Sequence, residues 1–423
     1  MIKRRVAMVA VAGLAASLLA ACSSTAGDAG DGGPTAGDAG DGGPTELRFA
    51  TPDSGPGAEY LQSVVDGYNE SQDDVVIKME AYGDAFDQKL SSQIGSGGVP
   101  DILKIWNFPA YNSILAPLND YIDGLPDKDD FFETLFNYSE MDGNIYGFPT
   151  GYSTRAFYYN TDLAERAGLT PSPDWTSEDY VEWVTKIGGL GDNIMGGDQL
   201  TNPDPYAFES FLFSNGGEWL NDAGEPVVNS PENLEVIEFF HSVAYGAETG
   251  DVVRKHPASE DTSAVFMAGD LGTFEFGKWF AQTFTDNATP YGILPMFSFN
   301  GNTPKSVVHA GFITISKDTE HMEEALDFIT WMSTPENVTA AAAYDLPIRK
   351  SVSEELGLTT DPINEPFLQM LENSVDTKTS MLKNEDWPDI SAEIGATLEA
   401  IFANENPDIA AELDDLQAKL ESL

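Results

Sequence analysis

Between residues 46 and 106 the sequence changes its periodicity repeatedly, and this alternation constrains the fold more than any other feature. Three segments alternate apolar and polar side chains or run apolar, as β-strands do: 46–51, 75–82 and 102–106. The segments between them carry apolar side chains at helical spacing, and glycines within 95–98 end the second helix. The order strand, helix, strand, helix, strand predicts an α/β layer with parallel strands and right-handed crossovers.

The loops after these strands are the first candidates for a ligand site, because ligands of such sheets bind beyond the carboxyl ends of the strands. The three loops are 52–57, 82–84 and 106–108. A second alternating region begins near Ile145, and Thr176 is expected to cap a helix there. The chain after residue 45 is long enough for two domains of ordinary size.

The first 21 residues are expected to be a signal peptide. A basic start at Lys3 to Arg5 precedes an apolar run, 6–19, which is shorter than the about 20 residues that a membrane span needs. The sole cysteine follows as Leu19-Ala20-Ala21-Cys22, which resembles a bacterial lipobox. That resemblance implies that Cys22 is lipidated and becomes the mature N-terminus. The alternative is a plain signal peptide with an incidental cysteine.

Residues 22–45 are expected to form a disordered linker behind the lipid. The ten-residue sequence AGDAGDGGPT occupies 26–35 and recurs without change at 36–45. Glycine, alanine and aspartate cannot bury enough apolar surface to offset the entropy of the chain.

The net charge of the chain limits the classes of molecule that it can bind. The chain has 70 acidic and 21 basic residues, for a formal net charge of −49. Such a field repels nucleic acid and anionic lipid headgroups and disfavours an anionic ligand. We therefore expect no nucleic-acid partner and no membrane contact except through the lipid anchor.

Six blocks of the sequence resemble, in the expected order, the extracellular solute-binding proteins of ABC importers, in the sugar-binding family 1 that includes maltose-binding protein. The blocks are GGVPDILKIW, GNIYGFPTGYSTRAFYYNTDLAERAGL, SNGGEWLNDAGEPVVNSPENLEVIEFF, AVFMAGDLGTFEFGKWF, HAGFITISKDTEHMEEALDFITWMSTPEN and LPIRKSV. The resemblance implies a two-lobed, type II periplasmic-binding-protein fold, with a mainly parallel sheet flanked by helices in each lobe and hinge strands between the lobes. It implies an N-lobe of 46–147 plus 298–348 and a C-lobe of 148–297 plus 349–423.

The same resemblance implies a function. A monomeric lipoprotein on the outer face of the cytoplasmic membrane would bind a neutral mono- or oligosaccharide between its lobes. It would pass the sugar to the transmembrane subunits of an ABC permease. No cofactor, metal or catalysis is expected.

A sugar has apolar ring faces and a rim of hydroxyl groups, so its site needs aromatic side chains and fixed polar groups. Trp106 ends a predicted strand at the expected ligand face, beside Asn107. The resemblance adds Trp279, although Lys278 stands where relatives have proline. It also adds Trp387, while Trp219 is expected either at the rim of the site or in the packing. Trp175, Trp183 and Trp331 are expected in the core.

The polar candidates also come from the resemblance. Asp53 and Ser54 match a position where relatives bind sugar hydroxyls, or else form a turn. Tyr152 and Ser153 lie where maltose-type relatives have an acid, so the serine argues against a maltodextrin. His309 is expected to hydrogen-bond the sugar or to serve the structure alone.

Other functions remain as alternatives. With 70 carboxylates, a secreted glycoside hydrolase is the principal rival, although no catalytic motif is present. A peptide or polyamine could replace the sugar, and a surface adhesin is disfavoured by the two-lobe pattern. Residues 221–225 could form a calcium cage or, as we expect, a β-turn.

Overall fold

The structure, a computed structural model, describes residues 43–200, 203–256, 262–342 and 345–423. The strands are Thr45–Thr51 (β1), Val75–Ala81 (β2), Ile102–Lys104 (β3), Glu140–Met141 (β4), Asn144–Ile145 (β5), Phe148–Ser153 (β6), Arg155–Asn160 (β7), Met195–Leu200 (β8), Val253–His256 (β9), Leu271–Gly277 (β10), Tyr291–Leu294 (β11) and His309–Ile315 (β12). The predicted signal peptide, Cys22 and the linker up to residue 42 lie outside the described residues.

Helices alternate with these strands. The helices are Gly55–Ser71 (α1), Phe86–Ser96 (α2), Phe108–Tyr111 (α3), Asn119–Asp123 (α4), Glu133–Asn137 (α5), Thr161–Ala167 (α6), Ser177–Gly188 (α7), Pro205–Asn215 (α8), Pro231–Tyr245 (α9), Thr262–Met267 (α10), Phe280–Asp286 (α11), Met322–Met332 (α12), Pro335–Ala341 (α13), Lys350–Glu355 (α14), Glu365–Asn373 (α15), Trp387–Ala403 (α16) and Ile409–Leu420 (α17). Short 3-10 turns occur at Gly83–Ala85, Asn112–Ile114, Lys128–Asp130 and Ser380–Leu382.

The first sheet has the order β2-β1-β3-β12-β6, and we call it and its helices the first lobe. β1 pairs in parallel with β2 and with β3, so that Leu47 lies opposite Ile77 and Phe49 opposite Ile102. α1 and α2 form the two crossovers, which confirms the predicted strand–helix–strand–helix–strand layer. β12 then pairs antiparallel with both β3 and β6.

The second sheet has the order β11-β7-β10-β8-β9 and defines the second lobe. β8 pairs in parallel with β10 and β9, whereas β7 pairs antiparallel with β10 and β11. Each sheet is therefore mixed, with two parallel and two antiparallel pairs, rather than mainly parallel. The antiparallel pairs involve β6, β7, β11 and β12, the strands on either side of the points where the chain passes between lobes.

The chain crosses between the lobes near three places in this topology. β6 belongs to the first sheet and β7 to the second, so the first crossing lies between Ser153 and Arg155, later than the expected boundary at 148. The return lies just before β12, because Ser306 and Val307 still bond to second-lobe hydroxyl groups, whereas the expectation placed it at 298. At the third place, Leu346 forms an isolated antiparallel bridge with Tyr152 of β6.

An aromatic core fills the second lobe. Phe157, Trp175, Tyr180 and Phe297 pack with ring centroids 5.1–6.1 Å apart, and the three pairs that involve Trp175 are edge to face. Thr176 begins α7 with a capping box, as predicted, because its hydroxyl accepts from the Asp179 N–H and the Asp179 carboxylate accepts in return. In the part of the chain that the structure describes, no helix combines the length and the apolar character that a bilayer span requires.

Candidate functional site

A cavity of about 860 Å³ opens where the loops after β1, β3 and β10 meet. Its walls come from both lobes, with Asp53 and Lys104 on the first-lobe side and Trp279 and Tyr206 on the second-lobe side. Sites for small organic ligands have volumes of about 300–1,000 Å³. We call this space the cleft cavity.

Three tryptophans line the cleft cavity, and two of them are strongly exposed. The third, Trp331, was expected in the core; it is half-buried beside Tyr68 and also lines the cavity. Trp106, which follows β3, is 45% exposed, and Trp279, which follows β10, is 41% exposed. Four other tryptophans are at most 6% exposed: Trp175, Trp183, Trp219 and Trp387. The two exposed rings therefore lie on opposite lobes, where they can cover apolar faces of one ligand.

The polar centre of the first-lobe wall is an ion pair between Asp53 and Lys104. The Lys104 Nζ lies 2.9 Å and 3.0 Å from the two carboxylate oxygens of Asp53. Gly311 makes room for the lysine, because a Cβ built at this position would lie 2.9 Å from Thr150 Oγ1 and 3.3 Å from Lys104 Cε. The Asp53 carboxylate also accepts a hydrogen bond from the Thr51 hydroxyl.

Behind the second-lobe wall, the Arg155 guanidinium donates two hydrogen bonds to the Glu275 carboxylate. Arg155 is 6% exposed, and its guanidinium lies 5.2 Å from the centre of the Phe276 ring. Asp204, which lines the cleft cavity, caps α8 by accepting from the Tyr206 N–H at 3.1 Å. The arginine charge is therefore already compensated before a ligand arrives.

His309 begins β12 between two aromatic rings of the second-lobe wall. Its ring centroid lies 5.0 Å from that of Tyr206 and 5.3 Å from that of Trp279, edge to face in both cases. Burial, assisted by the charge of Arg155, lowers the pKa of His309 to about 3, so the imidazole is neutral at physiological pH. Its Nε2 atom is buried and has no hydrogen-bond partner among the described residues.

Ser153 lies at the first crossing and lines the cleft cavity. Its hydroxyl donates to the Thr154 carbonyl at 2.9 Å and accepts from the Lys278 N–H at 2.9 Å. The side chain is thus engaged in joining β6 to the turn after β10. Among the predicted polar residues, the structure brings Asp53, Ser153 and His309 to the cleft cavity.

Five predicted site residues do not line the cleft cavity, and we leave them out of the candidate site. Trp219 is fully buried, donates from Nε1 to the Pro205 carbonyl at 2.9 Å and stacks on Phe208. Trp387 is 6% exposed, in the core of the second lobe at the start of α16. Both indoles fill core positions, which a sequence motif cannot distinguish from rim positions.

The other three residues lie close to the cleft cavity but not in its wall. Ser54 precedes α1 without a capping hydrogen bond, and Asn107 precedes α3 with its Oδ1 buried. Tyr152 is fully buried and packs edge to face on Phe132 at 5.8 Å. Because side chains alternate along β6, Tyr152 and Ser153 face opposite sides of the sheet.

Sequence reasoning missed several polar residues of the wall, among them Lys104, Asp204, Tyr206 and Asp345. Lys104 was detectable, since a lysine interrupts the apolar strand ILKIW. Asp345 is open to the cleft cavity, but protein surrounds most of it and raises its pKa, against the opposing charges of Lys104 and Lys278. Asp204 and Tyr206 gave no signal, because only the tertiary fold brings the start of α8 to the site.

Residues 221–225 form a tight turn, as expected. The Asn221 Oδ1 accepts from the N–H groups of Ala223 and Glu225, and Gly224 adopts a positive φ of 76°. In the described ranges, no group of three or more histidine, cysteine or acidic residues is arranged to hold a metal ion.

Comparison with known proteins adds to this geometry. Residues 63–366 match the family described as bacterial extracellular solute-binding protein. An arabinooligosaccharide-binding protein of Halalkalibacterium halodurans is 26% identical over 308 residues, which are 69% of this chain and 68% of that protein.

Two solved structures have the same fold. The sugar-binding protein MalE of Xanthomonas citri aligns with a TM-score of 0.79 at 19% identity, over 89% of this chain and 97% of that one. An ABC substrate-binding protein of Listeria monocytogenes in complex with cycloalternan aligns with a TM-score of 0.73 at 22% identity, over 90% and 98%. The fold is the two-lobed type II periplasmic-binding-protein fold, and the chain belongs to the bacterial extracellular solute-binding protein family.

Proposed function

We propose that this protein captures a neutral carbohydrate between its lobes and delivers it unaltered to the permease of an ABC importer. The observation that carries the proposal is the pair of exposed rings, Trp106 and Trp279, which face one cavity from two lobes. Indole faces bind the apolar faces of sugar rings, and contacts to both lobes favour a closed state.

A neutral ligand fits the charges of the site. The cation of the cleft wall, Lys104, is paired with Asp53, and Arg155 behind the wall is paired with Glu275. Both compensating partners are carboxylates of this chain, so an anionic ligand would have to displace one of them. Hydroxyl groups of a sugar can instead donate hydrogen bonds to the carboxylates that line the cleft cavity.

The relatives favour an oligosaccharide. The Halalkalibacterium protein binds arabinooligosaccharides, and the Listeria protein was solved with cycloalternan. A cavity of about 860 Å³ lies in the upper part of the usual range of about 300–1,000 Å³ for ligand sites, which suits more than one sugar unit.

The location completes the proposal. Residues 1–21 would direct export, Cys22 would carry the lipid, and 22–45 would tether the lobes outside the cytoplasmic membrane. The partner would be the transmembrane subunits of the permease, and the protein would act as a monomer.

A binding screen with product analysis tests the function. We expect one or more neutral oligosaccharides from a panel of arabino-, malto- and manno-oligosaccharides to raise the thermal midpoint and to bind saturably in isothermal titration calorimetry. Chromatography of the recovered sugar should show it intact. Shortened sugar would establish the glycoside hydrolase alternative, and binding only to peptides or polyamines would contradict the carbohydrate proposal.

A further inference from the structure

The charged side chains that line the cleft cavity are unequal in sign. Among the described lining residues, Asp53, Asp204 and Asp345 supply three carboxylates, whereas Lys104 supplies the only lysine or arginine side chain. A ligand anion entering this cavity therefore has one cation to bind, and the question is what holds that cation.

Asp53 already holds it. The Lys104 Nζ lies within 3.0 Å of both carboxylate oxygens, so the pair is bidentate from the side of the acid. The two side chains are 20% and 21% exposed, which reduces the solvent screening that weakens surface ion pairs. Lys104 is thus neutralised inside the cavity.

Asp53 cannot readily swing away from the lysine. Its carboxylate accepts from the Thr51 hydroxyl, and its own N–H donates to the same hydroxyl at 3.1 Å. Thr51 is fully buried at the end of β1, so this anchor is fixed by the first sheet. From the opposite side, Gly311 lets the lysine lie close against β12.

We propose that Asp53 is an internal anion that occupies Lys104 and thereby makes the site selective for uncharged carbohydrates over sugar phosphates and uronates. The inference rests on the proposed carbohydrate function and names the residue that sets the charge class of the ligand. It predicts a gain of anion binding when the negative charge of Asp53 alone is removed.

The substitution Asp53→Asn removes that charge and keeps the size of the side chain. We expect it to free Lys104 from its ion pair, since the structure shows no other described acid within 4.0 Å of the lysine Nζ. Asp345, on the same cavity wall, still interacts with the lysine charge. The matched control is Asp204→Asn, which removes an equal charge from the same cavity and keeps an acceptor for the α8 cap.

The experiment is isothermal titration with sn-glycerol 3-phosphate and with D-glucuronate at low ionic strength, on folded protein verified by circular dichroism. We expect Asp53→Asn to bind an anion at least about tenfold more tightly than the wild type. Asp204→Asn should match the wild type. The double variant Asp53→Asn/Lys104→Met should lose the gained affinity, because it lacks the cation.

Two results would overturn the inference. One is absence of any gain in Asp53→Asn and also in Asp53→Asn/Asp345→Asn, in which no neighbouring acid can replace Asp53. The other is an equal gain in Asp204→Asn, which would attribute selectivity to the net charge of the cavity. The neutral sugar panel, measured on the wild type, tests the proposed function separately from this filter.

Discussion

Glu209 is a fully buried carboxylate on α8, outside the cleft cavity. Both of its oxygens lie 3.1–3.2 Å from the Ser380 N–H, and the Ser380 hydroxyl also donates to it. Burial raises the pKa of Glu209 to about 8, although the bonds to Ser380 and the charge of Lys383 oppose the rise. This one carboxylate therefore ties α8 to the segment before α16 in a pH-dependent way.

We predict that Glu209→Gln makes the free energy of unfolding less sensitive to pH between about 4.5 and about 8. Because the pKa is higher in the folded state, the wild type loses stability as pH rises from about 4.5 through about 8. Over this range, the difference in free energy of unfolding between the variant and the wild type should shift in favour of the variant. The shift should be a few kcal/mol at most, since one pKa unit is worth about 1.4 kcal/mol. Urea unfolding at pH 5, 7 and 9 measures it, and a constant difference between the two proteins would contradict the prediction.

At the same scale, the sequence predicted the tryptophans unevenly. Trp106 was predicted because it ends a predicted strand, and Trp279 because it lies in a loop that resembles one of the family. Both rings are exposed in the cleft cavity. Trp219 and Trp387 came from motifs alone and are core residues. Exposure of a single ring depends on neighbours distant in sequence, such as Phe208 beside Trp219, and no local pattern encodes them.

Elements were more predictable than residues. The first sheet, its crossovers and the capping box at Thr176 follow from periodicity and local chemistry. The mixed character of the sheets could not be derived locally, because it depends on where β6 and β12 pair after the chain passes between lobes. The lobe boundaries differ from the expected residues for the same reason, because they too depend on long-range strand pairing.

The packing of α7 on β8 gives a prediction at this scale. A Cβ built at Gly196 would lie 1.8 Å from the Val184 carbonyl oxygen, a backbone atom that cannot rotate away as a side chain can. Gly196→Ala should cost more than the about 1–3 kcal/mol of ordinary overpacking. Gly191→Ala is the control, since its Cβ would meet only Ile194 Cδ1, at 3.7 Å. The stabilities are compared by urea unfolding midpoints, or by soluble yield where a variant fails to fold. Equal stability of the two variants would contradict the predicted clash at Gly196.

The whole molecule carries a charge of −49, and acids outnumber bases by 70 to 21. Self-repulsion should destabilise the compact state at low ionic strength. We therefore predict that the thermal midpoint rises between about 0.05 and 1 M salt, as the Debye length falls from over 10 Å to about 3 Å. Sodium and potassium chloride should act alike, and a midpoint that falls or stays constant would show that net repulsion is unimportant.

Attachment to the membrane is also a property of the whole molecule, and we predict that it depends on one atom, the Cys22 sulfur. Expressed in a bacterial host, the wild type should incorporate a palmitate analogue and fractionate with membranes. Cys22→Ser should do neither, while its lobes still fold. Equal labelling of both proteins would leave the plain signal peptide as the explanation.

In the proposed complex, one carbohydrate is held between Trp106 and Trp279. The most direct test is calorimetric titration of Trp106→Ala, Trp279→Ala and the ring-preserving Trp106→Phe with the tightest-binding sugar of the panel. We predict that each alanine variant binds at least about tenfold more weakly than the wild type, while the phenylalanine variant retains most of the affinity. Unchanged affinity in both alanine variants would contradict the account.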